Sequence, residues 1–266
     1  MTIYDAFPDL PAIYDAVPLY VARRDVDFYV EEAKDAGGRV LEVGCGTGRI
    51  LLPIARSGST IEGVDASPEM LERCHAKLRK ESDDVRRRVT LHRADARTFE
   101  IGRQFDLVIA PFRVMQHLTT IEDQLAFLHS AARQLTPGGR LAFDVFNPDF
   151  TKLVSADGTE REDTPNTKLP DGRSFRRAGR VARVRWIDQV SEIELIYYIT
   201  PESGGLVERH VQSFDMRWFL SAELVHLLAR AGFRVRSIYG DFDRSPLSDK
   251  SPEQIVCAER FTPVAT

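Results

Sequence analysis

The chain has 266 residues with an ordinary globular content of 43% hydrophobic and 29% charged residues, and its net charge of −4 argues against nucleic-acid binding through overall charge. No apolar run is long enough to span a bilayer, and the N-terminus has no signal-peptide pattern, so we expect no membrane partner. The three cysteines are scattered without metal-ligand spacing, which indicates a reducing, cytoplasmic compartment and no metal site.

The first predicted elements are a segment rich in proline and aromatic residues over residues 1–20 and a helix over residues 21–36. Aromatic side chains such as Tyr14 are rarely left in water, so we expect this segment to pack over the rest of the protein. It either simply covers the domain or closes over a ligand. The helix is predicted from apolar residues at helical spacing and ends at Gly37 and Gly38.

A short apolar strand, predicted over residues 39–43, runs into a glycine loop with the spacing G-x-G-x-G and then into a helix over residues 47–57. Gly44, Gly46 and Gly48 allow positive φ angles and, without Cβ atoms, let a ligand approach the backbone. In a doubly wound sheet this loop borders the ligand crevice at the carboxyl ends of the strands. The alternative is a glycine-rich turn in another kind of α/β protein.

The next strand is predicted over residues 59–64 and is followed by Asp65, roughly 20 residues beyond the glycine loop, where nucleotide-binding units place an acidic residue on ribose hydroxyls. Ser67 and Pro68 are typical of a helix start. Asp65 is therefore either a ribose-binding residue or a second cap for that helix. Met70, one turn into the helix, lies either under an adenine ring or in the core.

Strands are predicted over residues 88–94 and 105–110, and the segments after them contain Asp95 and His117. A carboxylate accepts hydrogen bonds only, as recognition of the adenine amino group requires, so Asp95 is either an adenine-binding residue or a turn residue. Histidine ordinarily titrates near neutrality and so suits proton transfer. His117 is therefore either a catalytic base or a partly buried residue near a helix end.

A helix capped by Thr120 leads to the run Leu-Thr-Pro-Gly-Gly-Arg-Leu over residues 135–141, which turns into a fifth strand. With the glycine loop, Asp65 and Asp95, this run completes four motifs in order over residues 38–148. The ordered set resembles the class I S-adenosylmethionine (SAM)-dependent methyltransferases of the small-molecule type, especially the amino-sugar N-methyltransferases.

The resemblance implies transfer of a methyl group from SAM to an N or O atom of a small molecule, with S-adenosylhomocysteine (SAH) as product. It implies that His117 is the catalytic base and that Tyr14 is a second catalytic residue. Residues 110–113, Ala-Pro-Phe-Arg, differ from the Asn/Asp-Pro-Pro-Tyr of methyltransferases that act on amide or amine groups of nucleic acids and proteins. The implied cofactor-binding residues lie at or after the carboxyl ends of strands: Glu42, Gly44, Cys45, Gly46, Gly48, Arg49, Asp65, Ala66, Met70, Asp95, Ala96 and Pro111.

Residues 151–172 are polar and are predicted to form a mobile excursion. Period-2 alternation after it predicts three or four antiparallel strands inserted behind strand 5. In the resembling family such an insertion covers the active site or forms a dimer interface, so a homodimer is expected. The insertion begins with arginines that form either a solvated strand face or a site for a nucleotide-linked or anionic substrate: Arg173, Arg176, Arg177, Arg180, Arg183 and Arg185.

Ser221 is predicted to cap the last helix and Gly232 to end it. Strands over residues 233–239 and 254–260 have no helix between them, so they are expected to pair antiparallel. The complete pattern predicts an α/β, Rossmann-like, doubly wound sheet of seven mostly parallel strands with a C-terminal antiparallel hairpin, plus a small inserted antiparallel sheet.

We predict three domains. Residues 1–149 form the N-terminal lid segment and the SAM-binding core, residues 150–219 form the antiparallel insertion, and residues 220–266 complete the core.

Two other functions fit parts of the sequence. One is a non-catalytic SAM-binding protein, or a partner subunit that has kept the methyltransferase fold. The other is a nicotinamide-dependent oxidoreductase, but its dinucleotide fingerprint is G-x-G-x-x-G and its domain lacks the final hairpin.

Overall fold

The computed structural model describes residue 4 and residues 6–261. Its strands are β1 (Val40–Val43), β2 (Ile61–Asp65), β3 (Val89–Arg93), β4 (Phe105–Ala110), β5 (Leu135–Phe146), β6 (Arg161–Lys168), β7 (Ser174–Arg185), β8 (Val190–Thr200), β9 (Glu208–Arg217), β10 (Phe233–Tyr239) and β11 (Glu253–Arg260). Its helices are α1 (Leu10–Tyr14), α2 (Pro18–Val21), α3 (Asp25–Ala36), α4 (Leu51–Arg56), α5 (Pro68–Leu78), α6 (Asp83–Arg87), α7 (Ile121–Gln134), α8 (Phe150–Val154) and α9 (Ser221–Arg230), with a 3₁₀ turn over Val114–His117.

The chain divides into two compact units. The larger unit consists of residues 24–148 together with the chain from residue 218 onward, and the smaller unit consists of the chain up to residue 23 together with residues 149–217. Among the described residues, no helix combines the length and the apolar character needed to cross a membrane.

The larger unit is built on a seven-stranded sheet with the order β10-β11-β5-β4-β1-β2-β3. Strands β1 to β5 are parallel to one another, whereas β11 is antiparallel to both β5 and β10. Apolar residues of α3, α4 and α5 bury one face of the sheet, and those of α7 and α9 bury the other. The predicted doubly wound α/β fold with its C-terminal antiparallel hairpin is confirmed.

Three predicted helix starts are wrong. The helix predicted over residues 21–36 begins at Asp25, and a separate short helix, Pro18–Val21, precedes it. The helix after the glycine loop begins at Leu51, not at residue 47, because Gly48 has a φ of +83°, which a right-handed helix cannot contain. Ser221 is the first residue of α9, and Leu220 is its N-cap, without a side-chain capping bond. Two predicted caps are confirmed, since Ser67 accepts a hydrogen bond from the N–H of Met70 and Thr120 from that of Asp123.

The smaller unit contains a four-stranded antiparallel sheet with the order β6-β7-β8-β9. The predicted loop over residues 151–172 is wrong in part, because Arg161–Lys168 forms the edge strand β6. Its polar composition and Pro165 hid it from sequence patterns, yet both are tolerated at a sheet edge, where one side of the strand needs no partner.

The N-terminal segment shares a hydrophobic core with this antiparallel sheet. The predicted domain 1–149 joins this segment to the cofactor-binding core, whereas in the structure its apolar side chains are buried within the smaller unit. This core joins Phe7, Leu10, Ile13 and Val17 of the segment to Leu169, Phe175, Tyr197 and Ile199.

Candidate active site

The glycine loop after β1 uses its backbone donors within the chain. The N–H groups of Gly44 and Cys45 donate to the carbonyl oxygen of Val64 at 2.7 and 3.0 Å, and that of Gly48 donates to the carbonyl oxygen of Cys45 at 2.9 Å. A loop that binds a phosphate directs such N–H groups at the anion instead. This loop is therefore held against β2 and is not arranged as a phosphate cradle.

Asp65 connects the loop to the turn after β2. Asp65 is only 8% exposed, and its Oδ2 accepts the N–H of Gly46 at 2.8 Å. Its Oδ1 accepts the N–H of Ser67, also at 2.8 Å. The carboxylate thus supports the start of α5, which was the predicted alternative to ribose binding. It also contacts Gly46, the middle glycine of the loop.

The glycines are also required by the chain's own packing. A Cβ atom added to Gly44 would lie 2.5 Å from Cγ2 of Val114, and one added to Gly48 would lie 2.7 Å from Sγ of Cys74. Both distances are far below van der Waals contact. The first contact places the 3₁₀ turn Val114–His117 directly against the loop.

Replacing Gly48 with alanine should lower the free energy of unfolding by about 2–4 kcal/mol, because left-handed backbone strain adds to the clash with Cys74. Gly37→Ala is the matched control, since Gly37 has a φ of +66° and no atom within 4 Å of an added Cβ. Urea denaturation of both variants measures the difference. A loss in Gly48→Ala no larger than that in Gly37→Ala would contradict the packing argument.

Two buried acidic residues, Glu42 and Asp65, lie beside the loop. Glu42 is 2% exposed, and its Oε2 is buried without a hydrogen-bond partner among the described residues. Burial raises the pKa of Glu42 well above its usual value, and the nearby carboxylates of Asp25 and Asp65 act in the same direction, against Arg49. Burial also raises the pKa of the Cys45 thiol, again with the help of Asp65 and Glu42. The carboxyl oxygens of Glu42 and Asp65 are hydrogen-bond acceptors, so they suit a ligand group that donates hydrogen bonds, such as an ammonium, better than a phosphate.

We expect Glu42→Gln to be more stable than the wild type at about pH 8 and to lose that advantage near pH 4, where an unfolded glutamic acid titrates. The pKa of Glu42 is higher in the folded state, so folded protein binds more protons and wild-type stability falls as the pH rises above the unfolded pKa. Urea denaturation across this pH range, without ligand, measures the difference.

Glu81→Gln is the control of opposite sign for this measurement. A hydrogen bond from Arg56 lowers the pKa of Glu81, so this carboxylate stabilises the protein above its unfolded pKa. Its replacement should therefore reduce stability at neutral pH. A Glu42→Gln protein no more stable than the wild type at about pH 8 would show that burial of this charge is not costly.

The loop after β4 has an unusual backbone. Phe112 and Arg113 have φ angles of +59° and +69°, and the half-buried His117 ends the 3₁₀ turn that follows. The predicted cofactor residue Pro111 is buried immediately before them. Consecutive left-handed residues other than glycine are rare and cluster at functional sites.

Comparison with known proteins agrees with this geometry. Residues 40–139 match the model of the methyltransferase domain family. The chain is 29% identical over 237 residues to the dTDP-3-amino-3,4,6-trideoxy-α-D-glucopyranose N,N-dimethyltransferase of Streptomyces venezuelae. The aligned region covers 85% of this chain and 92% of that enzyme. This chain is a class I SAM-dependent methyltransferase.

Two further proteins resemble this methyltransferase. The cypemycin N-terminal methyltransferase of a Streptomyces species is 29% identical over 225 residues, or 84% of each chain. The solved structure of SAM-bound CalS10, an amino pentose methyltransferase from Micromonospora echinaspora, shares the fold with a TM-score of 0.67 at 23% identity, over 98% of this chain and 97% of that one. The predicted family, enzyme class and SAM cofactor are confirmed.

The residues of the glycine loop fit SAM. SAM carries positive charge on its sulfonium and ammonium groups and has no phosphate. The unpartnered Oε2 of Glu42 offers an acceptor to the ammonium group, and the internally bonded N–H groups do not favour a pyrophosphate. These observations argue against the nicotinamide-dependent oxidoreductase.

Several predicted cofactor residues lie around this loop. Met70 is buried, with its Cε 3.2 Å from a Cβ added to Gly46. Arg49 forms two hydrogen bonds of 2.6 Å with Asp25, and its guanidinium lies 5.2 Å from the ring centre of Phe112. Ala66 is exposed beside Asp65. Contact of these side chains with SAM stays a prediction.

Asp95 is held by Arg97. The guanidinium Nε donates to Oδ1 at 2.9 Å, Nη2 donates to Oδ2 at 2.6 Å, and the backbone N–H of Arg97 donates to Oδ1 at 2.8 Å. These hydrogen bonds lower the pKa of Asp95, so it is a fixed carboxylate after β3, beside the half-buried Ala96. Adenine binding by Asp95 stays a prediction.

Tyr14 belongs to the smaller unit, whereas His117 belongs to the larger one. Tyr14 is 9% exposed, and its ring packs against those of Tyr4 and Tyr20, with centroid distances of 5.7 and 4.9 Å. Its catalytic role stays a prediction.

The arginines of the insertion pair with acidic residues of their own unit. Arg173 bonds Asp9 at 2.7 Å. Arg177 is only 2% exposed and bonds Asp163 at 2.9 Å. Arg173 also pairs with Asp171, Arg176 pairs with Glu162, Arg180 with Glu194, and Arg185 with Asp188, Glu192 and Asp215. These pairs neutralise most of the cluster and remove the main support for an anionic-substrate site on it.

Three residues that support the loops of the candidate site were not predicted from the sequence: Asp25, Tyr29 and Asp144. Asp25 holds Arg49, and Tyr29 donates a hydrogen bond to the buried carboxylate of Asp144. One signal was present, since Asp144 is an acidic residue inside an apolar strand, where a charge requires specific partners. Asp25 and Tyr29 gave no such signal, because a helix can carry either residue on its surface.

Proposed function

We propose that this methyltransferase transfers the methyl group of SAM to an amine nitrogen of a small molecule, with an oxygen atom as the alternative acceptor. The contact of Val114 with Gly44 carries the proposal, because it puts the turn that ends in His117 against the cofactor loop. The names of the relatives support an amine, since they describe an amino-sugar N,N-dimethyltransferase and an N-terminal methyltransferase.

The protein has to bind SAM, align the acceptor and accept one proton. When bound, SAM supplies a methyl group on a positively charged sulfur, which is already activated for displacement. The glycine loop and Asp65 would hold the cofactor, and the acceptor must be aligned with the methyl group while water is excluded. His117 would accept the proton that an amine or hydroxyl acceptor loses.

A panel of acceptors tests this proposal. Purified protein is incubated with SAM and dTDP-linked amino sugars, simple aliphatic amines, peptides with a free N-terminus, and phenols, and methylated products are detected by mass spectrometry. Methylated amines would support the proposal. Methylation of phenols alone would select the oxygen alternative. SAM binding without turnover on any acceptor would instead favour the non-catalytic SAM-binding protein.

We also propose that the protein forms a homodimer through β9. Strand β9 ends the antiparallel sheet, pairs with β8 over ten positions without a register shift, and contains no proline. A long, regular edge strand can pair with a second copy. Sedimentation velocity across a range of concentrations should show a dimer, and a monomer throughout would contradict the proposal.

A cytoplasmic location is likewise a proposal. Cys45, Cys74 and Cys257 are free thiols, as expected in a reducing compartment. Fractionation of the source cells should recover the protein with cytoplasmic markers, and recovery with another fraction would contradict the proposal.

A further inference from the structure

A buried carboxylate lies where β4 has ended and β5 continues. Asp144 is 0% exposed and sits between the apolar residues Phe143 and Val145. Ala110, the last residue of β4, pairs with Phe143, so Asp144 is the first β5 position beyond that pairing. A buried charge needs hydrogen-bond donors, and here the donors come from outside the sheet.

Oδ1 of Asp144 accepts two hydrogen bonds. The hydroxyl of Tyr29 on α3 donates at 2.7 Å, and the backbone N–H of Phe112 donates at 2.8 Å. Hydrogen bonds to an ionised carboxylate are stronger than those between neutral groups. Asp144 therefore joins a helix on one face of the sheet to the loop after β4.

The loop that receives this bond is strained. Phe112 and Arg113 both have φ angles in the left-handed region, which residues with a Cβ rarely adopt. Such a conformation persists only when its surroundings hold it. Asp144 holds the N–H of Phe112, and Glu253 accepts a hydrogen bond from Nη2 of Arg113 at 3.0 Å.

The same loop leads directly into the turn that carries His117. The N–H of Gln116 donates to the carbonyl oxygen of Arg113 at 2.9 Å, and Oε1 of Gln116 accepts the N–H of Phe146 at 2.9 Å. The turn is thus tied to the end of β5, two residues beyond Asp144. Any change in the Phe112–Arg113 backbone would move the start of this turn.

We propose that Asp144 is a positioning residue for methyl transfer. Its carboxylate holds Phe112 and Arg113 in the left-handed conformation and thereby fixes the turn Val114–His117 against the glycine loop. The link to catalysis rests on the proposed role of His117, whereas the effect of Asp144 on the conformation of the loop does not depend on that role. The hydroxyl of Tyr29 donates to the same carboxylate oxygen and so helps to orient it.

Hydrogen–deuterium exchange over residues 111–118, together with calorimetric titration of SAH, tests the proposal in the full-length protein. In Asp144→Ala we expect exchange in this segment to be about tenfold faster or more, the effect of losing a charged hydrogen bond, with β1 unchanged. Asp144→Asn keeps an oxygen that can accept from Tyr29 and Phe112, so its exchange should stay near that of the wild type. SAH affinity should change little in both variants.

Phe112→Gly separates positioning from ordinary packing. Glycine adopts the left-handed region freely, so adding Asp144→Ala to Phe112→Gly should speed exchange much less than in the wild-type background. Equal effects in both backgrounds, or unchanged exchange in folded Asp144→Ala, would overturn the proposal. If Asp144→Ala does not fold, exchange over residues 111–118 is compared in Tyr29→Phe and Asp144→Asn. Faster exchange in Asp144→Asn, with none in Tyr29→Phe, would then overturn the proposal. Loosening of the loop while His117→Ala retains full turnover would refute the role of His117 but not that of Asp144 in the loop.

Discussion

Replacing Asp65 with alanine should weaken the binding of SAM and SAH by about 100-fold or more, as expected from the loss of charged hydrogen bonds to ribose hydroxyls. The substitution also removes the acceptor for the N–H groups of Gly46 and Ser67, so the middle of the glycine loop loses its support. Both effects act on the same ligand. Calorimetric titration of each compound into wild-type and variant protein measures the change.

Asp106→Ala is the matched control for this substitution. Asp106 also accepts a hydrogen bond from a backbone N–H, that of Arg39, at 2.9 Å. It lies at the start of β4, however, and the glycine loop follows the carboxyl end of β1, at the other end of the parallel strands. Its loss should reduce stability without changing the affinity for SAM. An affinity for SAM in Asp65→Ala equal to that of the wild type would refute the ribose role and leave Asp65 as a support for the start of α5.

His117→Ala should reduce turnover by about 10²–10⁴-fold, the usual contribution of a general base, and should leave the affinity for SAM within a few-fold of the wild type. The reason is that Val114, and not His117, is the residue of this turn that contacts the cofactor loop. His117 lies three positions later, at the end of the turn. Initial rates on an acceptor found in the panel, with calorimetry of SAM, separate the two quantities.

His129→Ala serves as the control, because His129 is exposed on α7 and is expected to leave both turnover and affinity unchanged. If His117→Ala turns over at the wild-type rate, His117 is only a partly buried residue at the end of a turn. If it loses SAM affinity and turnover together, the histidine supports the cofactor loop instead of the acceptor.

The sequence by itself determined the larger unit and the place of its cofactor loop. Apolar strands buried on both faces, the glycine spacing, and the position of Asp65 depend on residues close together in the chain, where pattern and local geometry suffice. Six of the seven strands of the sheet were predicted to within about two residues for the same reason, whereas β5 begins at Leu135, inside the run that was expected to form a turn. The class I methyltransferase family follows from the order of these motifs.

Only the tertiary structure decided how the site is held. Asp144 and Phe112 are 32 residues apart, Tyr29 and Asp144 are 115 apart, and Arg113 and Glu253 are 140 apart. Such pairs leave no periodic signal, because they depend on which strand ends meet in the folded sheet. The burial that raises the pKa of Glu42 and the pairing of the insertion's arginines were hidden for the same reason. Local spacing identifies a loop that can bind a ligand, whereas its charge and rigidity arise from side chains that folding brings together.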